Sequence, residues 1–210
     1  GVFISEYSES SGNNNYIEIF NSTSGSVDLD DYEIWVLSGG GEWPGNILTL
    51  SGTLEPLDVL IIVKSESADI EISEHNLVAW SGININGDDA VGLAKNGFLI
   101  DAVGEAGEDP GSGWAIGGVD KATKDHTLVR KPAVFQGNTN WNESAGTSED
   151  DSEWLIYDNK IWSFAGSHNC ESCDDEVVIT VKENLPPVAN PGPDLVVRPG
   201  DEFLLDGSNS

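Results

Sequence analysis

Short apolar runs recur along the whole chain, and each is cut off by Gly, Asn, Asp, Ser or Pro before it can grow into a helix. Val2-Phe3-Ile4 and Tyr16-Ile17-Glu18-Ile19-Phe20 flank a polar loop from Ser10 to Asn15 whose small side chains favour turns. Tyr32 to Leu37 follows and ends at a glycine run, Gly39-Gly40-Gly41. Further strands are predicted over residues 47–50, 59–63, 77–80, 90–94, 98–103, 126–130 and 154–157, rich in Val, Ile, Leu and aromatic side chains. Lys95-Asn96-Gly97 separates two of them, and Asn-Gly is the strongest short signal for a tight hairpin. A sustained helical period is missing, although residues 65–73 have room for one short turn of helix. The pattern predicts an all-β sandwich or barrel.

Charge narrows the partners. Asp and Glu number 37 against nine Lys and Arg, a formal net charge of −28. Such a chain repels a nucleic-acid backbone, whose neutralisation needs clustered Lys and Arg, and it repels anionic lipid as well. Cations, basic proteins and neutral glycans fit it better, while the acidity also serves plain solubility. No apolar run approaches the roughly 18 residues that span a bilayer. The chain contains no Met and opens directly in strand-like residues, so we expect a module of a longer, exported protein.

Catalytic signatures are missing. There is no G-x-S-x-G or H-E-x-x-H, and the three histidines are scattered, so no nucleophile–base set is expected and no catalytic residue is named. Calcium is the more serious chemical option, because hard cations take six to eight oxygens from carboxylates and carbonyls on adaptable loops. Three groups offer them: Asp28, Asp30 and Asp31; Asn86, Asp88 and Asp89; and Glu149, Asp150 and Asp151 with Glu153. None has EF-hand spacing, and Asp in such turns also caps backbone N–H groups. Lys121, Lys124, Arg130 and Lys131 form a local basic spot that suits a carboxylate or phosphate, or pairs with neighbouring acids. Trp35 and Trp154 lie in apolar strands and are expected in the core. Trp43 and Trp141 sit among Gly, Pro and Asn, where they either stack on a ligand such as a sugar ring or fold back over the ends of the sandwich.

Composition shifts near residue 166. Cys170 and Cys173 form a lone Cys-x-x-Cys amid Glu171, Asp174, Asp175 and Glu176. Acidic neighbours raise a thiol pKa, against a reactive thiolate; half a zinc site with His168 is open, and a structural disulfide is the favoured reading. An apolar strand at residues 177–181 leads to Asn184-Leu185-Pro186-Pro187, which reads as a stiff linker. What remains is too short for a core of its own.

Taken in order, the pieces resemble the lamin-tail domain in the form found in secreted bacterial proteins. They include Phe3-Ile4-Ser5-Glu6-Tyr7, Asn14 to Asn21, Val27 to Tyr32, Gly52-Thr53-Leu54, Asp58 to Ile62, Asn86 to Val91 and Leu99 to Gly104. Asp109-Pro110-Gly111, Trp114, His126 to Lys131, Glu153-Trp154 and Gly166-Ser167-His168 extend the likeness. Pro186 to Asp194 and Asp206 to Ser210 resemble the start of a polycystic-kidney-disease (PKD) type immunoglobulin-like module. The resemblance implies an immunoglobulin-like β-sandwich over residues 1–168. Beyond it come a Cys-containing acidic segment with a strand and Pro linker over 169–187, and a truncated second β module over 188–210. It also implies a non-catalytic module of a secreted or surface protein, sometimes attached to an extracellular nuclease or other hydrolase. Nuclear lamin tails associate with chromatin; the charge here argues against direct contact with DNA.

Overall fold

The structure, a computed structural model, describes residues 1–10, 14–65, 76–171 and 173. The chain divides into units at Gly1–Asp175 and Glu176–Ser210. The PKD-like start, the expected strand at 177–181, the Pro linker and the helical turn expected within 66–73 lie outside the described residues.

Among the described residues, twelve strands, one short α-helix and a 3-10 turn at Leu29–Asp31 build the first unit. They are β1 (Val2–Ser8), β2 (Tyr16–Asn21), β3 (Val27–Asp28), β4 (Tyr32–Leu37), β5 (Asn46–Thr49), β6 (Thr53–Leu54), β7 (Val59–Val63), β8 (Asn76–Ala79), β9 (Ala90–Lys95), β10 (Phe98–Val103), β11 (His126–Arg130), α1 (Trp141–Ala145) and β12 (Trp154–Asp158). A large sheet runs β12-β11-β1-β2-β7-β8, a smaller one runs β10-β9-β4-β5, and β3 pairs with β6. The fold is the expected immunoglobulin-like sandwich. Every pairing is antiparallel except that of β7 with β8. The Asn96-Gly97 turn forms as predicted: Lys95 faces Phe98, and both turn residues have positive φ, +51° and +76°.

Alternation places Ile4, Tyr7, Ile17, Ile19, Leu60, Ile62 and Leu128 of the large sheet in one core with Ile34, Val36, Val91, Leu93 and Val103 of the small one. Each such side chain contributes about 1.5–3 kcal/mol through burial. The large sheet departs from the usual sandwich because its other face is covered too. Phe3, Phe20 and Val59 pack beneath Val134 and the two cysteines, and Tyr16, Ile61 and Val63 beneath Trp162 and Ala165. The run Val59-Leu60-Ile61-Ile62-Val63 is the sequence counterpart of this double burial, since a strand covered on both faces has no reason to alternate. The cover is the segment after β12, residues 159–171, which also lays Phe164 on Tyr157 at 4.5 Å and His168 against Phe3 and Phe20.

The outer side of the small sheet is closed by the loop after β4. Gly92 of β9 lies opposite Trp35, and a Cβ there would come within 2.6 Å of Leu99 and 3.2 Å of Trp43. Its bare backbone gives the Trp43 ring room to lie 6.1 Å from that of Trp35. Gly92→Val is therefore expected to cost about 1–3 kcal/mol through overpacking. A thermal midpoint equal to that of the parent would show that the Trp43 loop yields freely.

Candidate functional site

The densest polar constellation is buried and centres on Arg130, at the end of β11. Its side chain is fully buried and donates to Asp101 Oδ1 at 2.5 Å, to Ser144 Oγ at 3.0 Å, to the Ile4 carbonyl at 3.1 Å and to Glu153 Oε2. The guanidinium lies 4.0 Å from the Trp154 ring centre. Asp101, from β10, also accepts the backbone N–H groups of Ile4, Ala102 and Asn138. Burial pushes the Asp101 carboxyl up, and Arg130 together with those three N–H groups opposes it. So many donors around one carboxylate form a cradle for the charged form, and a β1–β10–β11–β12–α1 clamp results. The basic spot thus resolves by pairing inward at Arg130. Lys131 reaches the Glu149 carbonyl, and the Lys124 carbonyl meets His126 Nδ1 at 2.5 Å.

A second buried cluster escaped the sequence reading. A β-bulge between Ile4 and Glu6 turns two successive residues, Ser5 and Glu6, to the outer face of the large sheet. Glu6 then stands directly opposite Glu18 of β2, and both are fully buried. Tyr16 Oη donates to Glu6 at 2.6 Å, Ser5 Oγ donates to Glu18 at 2.7 Å, and the Gly166 N–H donates to Glu18 at 2.7 Å. Glu6 Oε1 makes no hydrogen bond. Burial, then the charge of Glu18, pushes the Glu6 carboxyl well up; burial takes that of Glu18 to about 7 against the hydrogen bonds from Ser5 and Gly166, which pull it down. The apolar residues alternating on both sides of Glu18 were the available signal, because a strand buried on both faces buries its acid as well.

The expected calcium ligands are spread over separate turns, and the carboxylates of Asp28, Asp30, Asp89 and Asp151 accept backbone N–H groups. Asp28 accepts the Asp30 N–H at 3.0 Å, and Asp30 accepts that of Gly52 at 3.2 Å. Asp31 is exposed. Asp89, 4 % exposed, accepts the Asn86 N–H at 3.1 Å, and burial and then Asp88 push its carboxyl up. Asp151 accepts N–H and O–H donors from Thr147 and Ser148, which lower its pKa to about 2, while Glu149 and Asp150 stay on the surface. Among the described residues, no group of three His, Cys, Asp or Glu side chains is arranged to hold a metal ion.

Of the two readings of Trp43 and Trp141, ligand stacking does not hold for Trp141. Trp141 is not in an open loop: Asn140 caps α1 through the Glu143 N–H, and Trp141, in the first turn, is 4 % exposed against Trp114. A polar run of Asn and Thr read as loop because its helix spans barely more than one turn and no periodicity can show. Trp43 stays partly exposed over Trp35, and no contact joins it to Trp141. Trp154 and Trp35 are buried as expected, at 1 % and 7 %. Cys170 and Cys173 form the favoured disulfide, and His168 packs on Phe3 and Phe20, so the zinc alternative falls.

Three surface cavities stand out among the described residues. One, of about 390 Å³, follows β12 beside Val119 and Glu149, and a second, of about 440 Å³, lies along residues 133–139. The third, of about 520 Å³, is rimmed by Glu105 and Glu108 and floored by Trp114 and Trp141, whose 8 % and 4 % exposure leaves no ring face for stacking. Glu6, Tyr7, Tyr16, Glu18 and Asp101, the deeply buried groups with raised pKa values, line none of the three.

A two-sheet sandwich of this order, its most deeply buried acids held in packed clusters between and beneath the sheets, is an immunoglobulin-like domain. The Lamin Tail Domain family model matches residues 1–107, just over half of the chain, and the chain belongs to that family. That span runs from β1 through β10 and includes Glu6, Glu18 and Asp101; Arg130 and the covering segment lie beyond it. No curated protein and no solved structure matches the chain.

Proposed function

We propose that this chain is a structural and interaction module of a larger secreted or cell-surface protein, spacing or docking its neighbours without performing chemistry. The observation that carries the reading is that Glu6, Glu18 and Asp101, the deeply buried acids with raised pKa values, line none of the three cavities. A catalytic site brings the two together, whereas here Glu6, Glu18 and Asp101 are spent on packing. The Cys170–Cys173 disulfide supports an oxidising compartment. The charge of −28, with Arg130 turned inward, supports a basic protein or neutral glycan as partner and opposes nucleic acid. Among the described residues no helix is long and apolar enough to cross a membrane.

Two measurements test this. Incubated with phosphodiester, ester, peptide and glycoside reporter substrates, the purified chain is expected to give background turnover. Turnover abolished by substituting a cavity residue such as Glu105 or Glu108 would overturn the reading. In biolayer interferometry at about 0.15 M salt, the chain is expected to bind poly-lysine and ignore duplex DNA. Saturable DNA binding under those conditions would refute the assignment of partners.

A further inference from the structure

The Glu6–Glu18 pair lies at a place where it controls how the sandwich is closed. Two carboxyls face each other across neighbouring strands, fully buried, with no cation among the interactions that set either one. Their flanking positions are apolar: Val129 of β11 stands opposite Glu6, and Ile61 of β7 opposite Glu18. The remaining titratable neighbours do not neutralise them. Tyr16 donates its hydroxyl to Glu6, and the Arg130 guanidinium is taken up by Asp101 and Glu153. On the covering segment His168 is held neutral by burial, its pKa lowered to about 4, while Lys160 and Glu171 are exposed, as is Asp158 at the end of β12. The same segment is anchored into this cluster by the Gly166 N–H on Glu18. Two ionised carboxylates at this spacing, without a counter-charge, can regain solvation only by admitting water, and residues 159–171 pack over the same face and touch the pair through Gly166.

We propose that residues 159–171 are a proton-held strap: closed over the outer face of the large sheet while the Glu6–Glu18 pair retains a proton, and loosened to admit water to the unpartnered Glu6 Oε1 once both carboxyls ionise, against the Gly166 N–H, which holds ionised Glu18. Loosening uncovers Phe3, Phe20, Tyr16, Ile61 and Val63, an apolar sheet face that the strap now occupies. The device acts on the mildly alkaline side, because a buried pair gives up its last proton later than an exposed one.

Hydrogen exchange of the full chain, followed by mass spectrometry at about pH 5.5 and 8.5 and corrected for intrinsic rates, tests it. Protection of peptides spanning Trp162 to His168 is expected to fall at least about tenfold with rising pH, while β4 and β9 peptides keep theirs. In Glu18→Gln the fall should vanish. Equal loss in Glu18→Gln would overturn the proposal in favour of general repulsion within the −28 chain, as would unchanged protection in the parent. Should that variant not fold, Glu6→Gln under the same protocol serves instead. Carbon-13 titration of the parent carboxyls is an independent check: both Glu6 and Glu18 titrating near the ordinary Glu value would sink the idea.

Discussion

Replacing Arg130 by methionine is expected to cost about 3–5 kcal/mol, the range for removing one member of a buried ion pair. The loss follows from what stays behind. Asp101 keeps its three backbone donors but loses the guanidinium paired with it, in a site with no exposure. The Ile4 carbonyl and Ser144 Oγ each lose a donor, and Trp154 loses the planar group stacked on it. At about 2–4 °C per kcal/mol for a domain of this size, the melting midpoint should fall by roughly 6–20 °C. Lysine at this position should recover little. It keeps the charge, but one ammonium cannot serve Ile4, Asp101, Ser144 and Glu153 as a forked guanidinium does. The double variant Arg130→Met with Asp101→Asn should lose less than the two single costs added together, because the second change removes the orphaned charge. Urea unfolding measures all three. A cost below about 1 kcal/mol for Arg130→Met would mean that water reaches the cluster and that the pair behaves as a surface salt bridge.

Arg130 also marks the limit of sequence reasoning. That it pairs with neighbouring acids was legible from the excess of carboxylates around so few cations. Which acids it takes was not, because Asp101 sits on β10, 29 residues away in sequence, and Ile4 at the other end of the chain. The strands themselves were readable because β structure is written locally, in apolar runs bounded by turn residues. The Asn96-Gly97 hairpin could be placed to the residue because positive φ at both turn positions is a chemical demand. Three features needed the third dimension. The bulge at Ser5 shifts the alternation by one residue, so counting along β1 points Glu6 the wrong way. The short helix at Trp141 has no period to detect. The cover of residues 159–171 is legible only as the reason Val59 to Val63 is apolar throughout, and that inference runs from burial to sequence more easily than back.

The buried acids give the molecule an unusual dependence on pH. For Glu18 the folded value is about 7 against an ordinary 4.5, so the native chain holds a proton that the unfolded chain has already released across that interval. Below about pH 4.5 both states are protonated and the group is neutral toward stability; as pH rises to about 7 the unfolded state binds fewer protons, and stability declines. Above the folded value the decline stops. The shift corresponds to a loss of about 3 kcal/mol from Glu18 alone, and Glu6, raised in the same direction, adds to it. Urea midpoints of the parent chain should therefore be higher near pH 5 than near pH 8, the reverse of what salt-bridged carboxylates produce. Glu18→Gln removes the proton equilibrium. At about pH 8 it should stabilise by about 1–2 kcal/mol rather than the full amount, because the amide must present its NH2 to one of the two donors, Ser5 Oγ or the Gly166 N–H, that Glu18 now accepts. At about pH 4.5, where the carboxyl is already neutral, the same substitution should be neutral or mildly destabilising. This crossing of the two stability curves separates a buried, uncompensated carboxyl from a generic benefit of lowering net charge, which would raise the variant's stability by a similar amount wherever the surface acids are ionised.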